Sequence, residues 1–238
     1  MRSTSLAFGA LLLLAGCELV GRADEPLVYS EIEDIHYTAH VQPLLDRKCG
    51  ACHGGADAAA GLRLDAWTHV VAGSRFGEVV IPFDADRSLL VEMTTKLRGG
   101  PHPMEVGADT LTQDEVDFLA RWIDEGARGD AGQVPYEDVD PARLLYVAGQ
   151  GAAVVSVVDM ETNLVVRTVD LQAHGFSANA RPHHVAVEPD GSAWYVSLIG
   201  DGKVAKFDRE NHLVGTATME TPGMLAVDPA RDLLFAGR

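Results

Sequence analysis

Lys48-Cys49-Gly50-Ala51-Cys52-His53 places two thiols three residues apart and an imidazole directly after the second. Two thiols with that separation can add to the two vinyl groups along one edge of a porphyrin. The adjacent histidine can then reach the iron from the proximal side. C-x-x-C-H is therefore read as the covalent attachment of one haem c through Cys49 and Cys52, with His53 as an axial ligand. Other uses of such a pair fit less of the sequence. A thioredoxin-like redox pair needs a βαβ setting, and no such pattern surrounds these residues. A zinc site needs further ligands at suitable spacing, and the chain has three cysteines in all. A disulfide between Cys49 and Cys52 uses both thiols but leaves His53 without a part.

The third cysteine belongs to the N-terminus. Arg2 precedes an apolar run from Leu6 to Ala15, too short to cross a bilayer as a helix. A charged start, a short apolar stretch and small residues at its end describe a secretory signal. Leu14-Ala15-Gly16-Cys17 resembles the lipobox of bacterial lipoproteins, in which the cysteine carries the lipid. That resemblance implies a signal peptide over 1–16, lipidation at Cys17, and a polar tether over 17–31 that holds the protein to a membrane. Glu18, where an inner-membrane lipoprotein commonly has aspartate, points to the outer membrane of a Gram-negative cell. An exported chain also reaches the compartment where thiols are oxidised and covalent haem is assembled.

The 238 residues suffice for one large domain or two modest ones. With 47% hydrophobic and 23% charged residues the composition is that of a globular protein. A formal charge of −16 argues against nucleic acid, whose phosphates require Lys and Arg. It permits electrostatic steering toward a basic partner protein. Three stretches organise the mature chain. Residues 32–129 carry helical patterns, 130–139 form a linker around the run Gly-Asp-Ala-Gly-Gln-Val-Pro (129–135), and 140–238 consist of short β-type runs. In the helical part, 35–48 reads as a helix leading into the cysteines, with Pro43 predicting a kink or a late start. Thr112-Gln113-Asp114-Glu115 forms a capping box. Val116, Leu119, Ala120 and Ile123, widened by Phe118 and Trp122, then give an apolar helical stripe that Gly126 ends.

The last hundred residues repeat themselves. Leu145-Tyr146-Val147 returns as Trp194-Tyr195-Val196, while Asp159 and Leu164 return as Asp208 and Leu213, all at an offset of 49. His184–Ser197 aligns with Met224–Gly237 at an offset of 40, which predicts an insertion near 172–181 in the first unit. Repeats of this length, each with several short strands, are those of propeller blades. The segment from about 140 to 238 resembles the YVTN-type β-propeller family. About two units fit, whereas closed propellers have four to eight blades. The region is therefore expected to be an incomplete propeller from a longer protein.

A second axial ligand is expected just before the capped helix. Met104 ends the run Gly99-Gly100-Pro101-His102-Pro103-Met104, where it has no helical face to fill. A thioether there would raise the reduction potential relative to two histidines. His102 is the alternative, and Met93 and His69 read as packing or surface residues. The stretch from Tyr37 to Arg128 resembles small monohaem cytochrome c domains. The likeness rests on the helix into C-x-x-C-H, on Asp86-Arg87-Ser88-Leu89-Leu90, and on Arg121-Trp122-Ile123-Asp124-Glu125-Gly126-Ala127. Such domains place a methionine in a Met-Pro-Pro-Gly-like loop, whereas here the order is His-Pro-Met-Glu-Val-Gly. The resemblance implies a haem crevice between helices, lined by Leu44, Leu45, Leu62, Leu64, Trp67, Leu97 and Trp122.

Pro182-His183-His184 could offer a metal ligand, His183 before His184, because neighbours on a strand face opposite sides. His174 falls in the insertion. No carboxylate pair, nucleophile motif or phosphate-cradling loop singles itself out. The expected architecture is multidomain, an all-α cytochrome c domain followed by an all-β, incomplete β-propeller. The expected function is one-electron transfer with redox partner proteins, the propeller serving as scaffold. Two alternatives stand beside it. One is a redox enzyme whose cytochrome feeds a second centre on a complete propeller, and the other is a haem-bearing binding or sensor module.

Overall fold

The computed structural model of the chain describes residues 27–95, 102 and 109–238. Pro43 decides where the first helix begins. It has no N–H to give to the turn before it, and a π-type turn over Tyr37–Val41 runs directly into helix α1, Gln42–His53. The helix expected over 35–48 thus starts later and reaches further, so that Cys49, Cys52 and His53 lie in its last turns. Gly54 closes it. Its N–H donates to the Gly50 carbonyl at 2.9 Å, and a Cβ at this position would stand 2.7 Å from that same oxygen.

Helix α2 (Trp67–Val71) and helix α3 (Leu89–Thr94) are short. The loop before α3 is held by Ser88, wholly buried, whose hydroxyl accepts from the Ile81 N–H at 2.8 Å and donates to the Asp84 carbonyl at 2.7 Å. Helix α4 (Gln113–Asp124) has the expected capping box. The Thr112 hydroxyl accepts from the Glu115 N–H, and the Glu115 carboxylate accepts from the Thr112 N–H at 2.8 Å. Val116, Phe118, Leu119, Trp122 and Ile123 bury its apolar stripe, with Trp122 against Tyr37 at 5.7 Å between ring centres. Gly126 ends the chain's helical course at φ +103°, and a Cβ there would lie 2.7 Å from the Phe83 ring.

The tether expected over 17–31 does not extend to its predicted end. Tyr29 is 4% exposed, packs on Phe118, and receives Arg121 on its carbonyl and Arg47 on its hydroxyl. Tyr29, with Ile32 and Ile35, packs this segment on the helical core.

Nine strands follow in three antiparallel sheets. The first has β1 (Leu144–Gly149), β2 (Val154–Asp159) and β3 (Leu164–Asp170) in that order. The second has β4 (Pro182–Val187), β5 (Ala193–Leu198), β6 (Lys203–Asp208) and β7 (Leu213–Thr218). The third pairs β8 (Leu225–Asp228) with β9 (Leu233–Ala236). The repeat is visible in the ladders. Register shifts fall between Val157 and Val158 and again between Lys206 and Phe207, 49 residues on. Asp159 and Asp208 both turn back onto the hairpin that follows, bonding Thr162 and the His212 N–H. By this repeat β1 corresponds to β5, and the first sheet has no counterpart of β4. Strand β1 packs beside β4, and β4 beside β8. Between the first two sheets Tyr146 meets Trp194, which stacks on Phe207 at 4.4 Å. The chain is an all-α region followed by an all-β, propeller-like region whose sheets form no closed ring among the described residues.

Residues 130–139, expected as a linker, are bonded on both sides. Asp130 accepts from the Thr38 N–H at 3.0 Å. The Tyr136 hydroxyl donates to the Val71 carbonyl at 2.8 Å, and Arg167 of β3 donates to the Pro135 carbonyl at 3.1 Å. Strand β3 also lies directly against the helical region. Glu78 accepts from the Val165 N–H at 3.1 Å, Asp84 accepts from the Thr168 hydroxyl, and Arg87 pairs with Asp170 at 3.2 Å.

Candidate haem site

Helix α1 carries the three residues of the motif in its last turns. Cys49 and Cys52, one turn apart, share a helix face, and both thiols are free. Cys52 is exposed, while Cys49 is half-buried against the helical core. Burial pushes the Cys49 thiol up to about 11 against the opposing pull of Lys48.

His53 is oriented from behind. Its Nδ1 lies 3.2 Å from the Leu62 carbonyl. A carbonyl only accepts, so Nδ1 carries the proton and Nε2 is left as the ligating nitrogen. Metal-bound histidines are commonly fixed in this way, by a hydrogen bond from the ring nitrogen that faces away from the metal. The loop that supplies Leu62 is itself tied down. The Leu64 N–H donates to the His53 carbonyl at 2.8 Å. Asp65 collects the Gly55 N–H, Arg63 and His69, the last two at 2.7 Å. Arg63, with help from His69, holds the Asp65 carboxyl well below the usual carboxylate range.

Beside His53 opens a cavity of about 230 Å³ with a nearly wholly apolar wall. Cys49, Leu62, Leu64, Val79, Leu89, Leu90 and Met93 line it, together with His53 and His102. The ring centres of the two histidines are 6.3 Å apart, with planes inclined by 53°. Two free thiols one helical turn apart, one of them bordering the cavity, an imidazole with a committed tautomer and an apolar crevice are a donor set and surroundings suited to haem c. The residues fit the group.

Of the expected lining residues, Leu62 and Leu64 face the cavity. Leu44, Leu45 and Trp122 do not; they are buried in the core that joins α1 to α4. Trp67 packs against that core and donates through its indole N–H to the Ala127 carbonyl at 2.8 Å. Met93 lines the crevice, and His69 bonds Asp65. Phe76, Val79, Leu89 and Leu90 belong to the wall as well. Met104, the expected second axial ligand, lies outside the described residues, as do Leu97 and Cys17.

The histidines of the β region have other partners. His184 accepts the Leu225 N–H on Nδ1 at 3.2 Å and so ties β4 to β8. His183 is exposed and bonds Gln150 at 2.9 Å. His174 meets Phe207 edge-on at 5.1 Å. Among the described residues, no group of three or more His, Cys, Asp or Glu could hold a metal ion. No helix among them is long and apolar enough to cross a membrane.

Residues 49–99 match the family model for planctomycete cytochrome C. That span begins at the first thiol of the motif and takes in α2 and α3. The match and the geometry of the site support a cytochrome c domain within the helical region, and a β-rich region follows it. Solved structures similar to the chain include Kuenenia stuttgartiensis hydrazine synthase, at 21% identity over 41% of this chain and 27% of that one, with a TM-score of 0.35. Another is dihydro-heme d1 dehydrogenase NirN in complex with DHE, at 18% identity over 83% of this chain and 43% of that one, with a TM-score of 0.36. The chain therefore spans less than half the length of either, and likeness at this level carries no functional inference. No curated protein matches the sequence.

Proposed function

We propose that this protein is an exported c-type cytochrome that passes single electrons between partner proteins through one covalently bound haem. The observation that carries the reading is the joint placement of free Cys49 and Cys52, His53 held by the Leu62 carbonyl, and the apolar crevice beside them. When bound, the haem supplies an iron that alternates between ferrous and ferric states. Cys49 and Cys52 would hold its edge, His53 would supply one ligating nitrogen, and Met104, with His102 the alternative, would supply the second. The apolar wall excludes water. The charge of −16 favours basic redox partners, and the β region offers them a scaffold. The leader sequence supports export and lipid attachment at Cys17, on the outer membrane in a Gram-negative cell.

Co-expression with a cytochrome c maturation system tests this reading. The denatured wild-type protein should retain haem stain in a gel and show one haem per chain by pyridine haemochrome assay. Cys49→Ala with Cys52→Ala should lose the stain. A wild-type chain that matures without covalent haem would sink the proposal. Cys17→Ser should separately abolish incorporation of labelled fatty acid and release the protein from the membrane fraction; retention of the label would remove the lipoprotein reading alone.

A further inference from the structure

We infer that His102, and not a methionine, is the second axial ligand, so that the iron sits between two imidazoles. This rests on the haem c reading above and goes beyond it by assigning the ligand that sets the potential. A metal–imidazole bond is about 2.0–2.1 Å long. A five-membered ring with bonds of about 1.33 Å has each ring atom about 1.1 Å from its centre. Two imidazoles in line on opposite sides of one ion therefore have ring centres about 6.3 Å apart. The centres of His53 and His102 are 6.3 Å apart.

The 53° inclination gives neither a stacked nor a perpendicular pair. No hydrogen bond joins the two rings among those of the described residues. Their mutual inclination is instead free for axial ligands, because each ring can turn about its own bond to the metal. Both rings face one cavity, whose remaining wall is apolar. His53 has Nδ1 committed to Leu62, which leaves Nε2 for the metal.

The chemical consequence differs from that of the sequence expectation. Methionine with histidine raises the potential, and a second histidine gives a lower one. The protein would therefore deliver electrons at a lower potential than a methionine-ligated cytochrome.

The test uses the full, haem-loaded chain. The oxidised wild type should show a low-spin ferric spectrum with the electron paramagnetic resonance of bis-imidazole ligation. It should lack the long-wavelength band of methionine bound to ferric iron. His102→Ala should become high-spin and bind carbon monoxide at once on reduction, and added imidazole should restore the low-spin spectrum. His102→Met should raise the midpoint potential and gain the methionine band. Met104→Leu and Met93→Leu should retain bis-imidazole ligation. A methionine band in the wild type that vanishes in Met104→Leu or Met93→Leu overturns the assignment, and so does a His102→Ala protein whose ferric spectrum is unchanged. If His102→Ala does not mature, the wild-type resonance and the His102→Met potential still decide. Loss of the haem reading itself would be seen earlier, as wild-type protein with no covalent haem, and that result would remove both.

Discussion

At the scale of single residues, the site depends on groups with no side-chain signature as well as on those with one. The Leu62 carbonyl fixes the His53 tautomer, yet every residue has a carbonyl, and only the fold brings this one round. The C-x-x-C-H motif is legible because its chemistry is contiguous in sequence. Glu115 shows how a residue read for one role takes on a second. It closes the capping box of α4 and also pairs with Arg47 at 2.9 Å and Lys48 at 3.4 Å, fastening α4 to the end of α1 that bears the cysteines. Burial disfavours its charged form, but the Thr112 N–H, Arg47 and Lys48 outweigh that and hold its carboxyl below the ordinary value of 4.5. A carboxyl held low contributes stability that is present above its unfolded value and is lost as pH falls through the folded one. Glu115→Gln should therefore cost about 1–2 kcal/mol at neutral pH, the exposure of Arg47 trimming the upper end. Below about pH 4.5 its stability should fall less steeply than that of the wild type. Denaturant titrations at several pH values check this, and parallel declines in the two proteins would contradict it.

At the scale of elements, the loop between α2 and α3 is the part of the crevice wall that the sequence concealed. The resemblance implied Leu44, Leu45 and Trp122 as crevice lining, whereas they are buried in the α1–α4 core. The actual wall draws Val79 from an irregular loop and Leu89 and Leu90 from a short helix, and such segments carry no period to read. Ser88 gives that loop its shape, and Asp86-Arg87-Ser88-Leu89-Leu90 acquires a physical reason through it. Ser88→Ala leaves the buried Ile81 N–H without its acceptor, at a cost of about 1–3 kcal/mol. Because Val79 and Leu90 are tied to each other by the Leu90 N–H and Val79 carbonyl at 2.8 Å, the loosened loop should also admit water to the haem. The holoprotein should show a lower melting temperature and a perturbed haem absorption envelope before global unfolding. A shift in melting temperature with an unaltered envelope would confine Ser88 to stability. Gly126→Ala should cost about 1–3 kcal/mol for its left-handed backbone alone, with the Phe83 contact adding to it. Thermal unfolding monitored by circular dichroism measures that loss.

At the scale of the whole molecule, the helical and β regions are joined by more than a connecting segment. Residues 130–139 have the glycine, proline and acidic residues of a linker, and composition alone cannot tell that Tyr136 reaches Val71 or that Arg167 reaches Pro135. The strand repeat was legible because Tyr146, Asp159 and Leu164 return as Tyr195, Asp208 and Leu213 at one offset. The docking of β3 was not, because its partners come from a loop more than eighty residues away in sequence. Asp84 is central there. It is nearly buried, accepts from Arg87 within its own loop and from Thr168 of β3, and Arg87 reaches on to Asp170. Beside them the Arg167 guanidinium lies 5.2 Å over the Phe83 ring, with burial lowering it to about 10, so it stays charged at neutral pH. Contacts of this kind make two regions unfold together when their summed coupling is comparable to the stability of the weaker one. Thr168→Val removes one hydrogen bond, worth about 1 kcal/mol. Combined with Phe83→Ala, which strips the ring from beneath Arg167, it should separate the transitions. Haem absorbance would then report the helical region, and far-ultraviolet circular dichroism at the β-sheet minimum the other. In the wild type the two melting curves should coincide, and in the double variant they should part, since coincidence of probes is the mark of a single cooperative unit. Coincident curves in both proteins would mean that the regions are coupled elsewhere, through the Tyr136 and Arg167 bonds of the connecting segment.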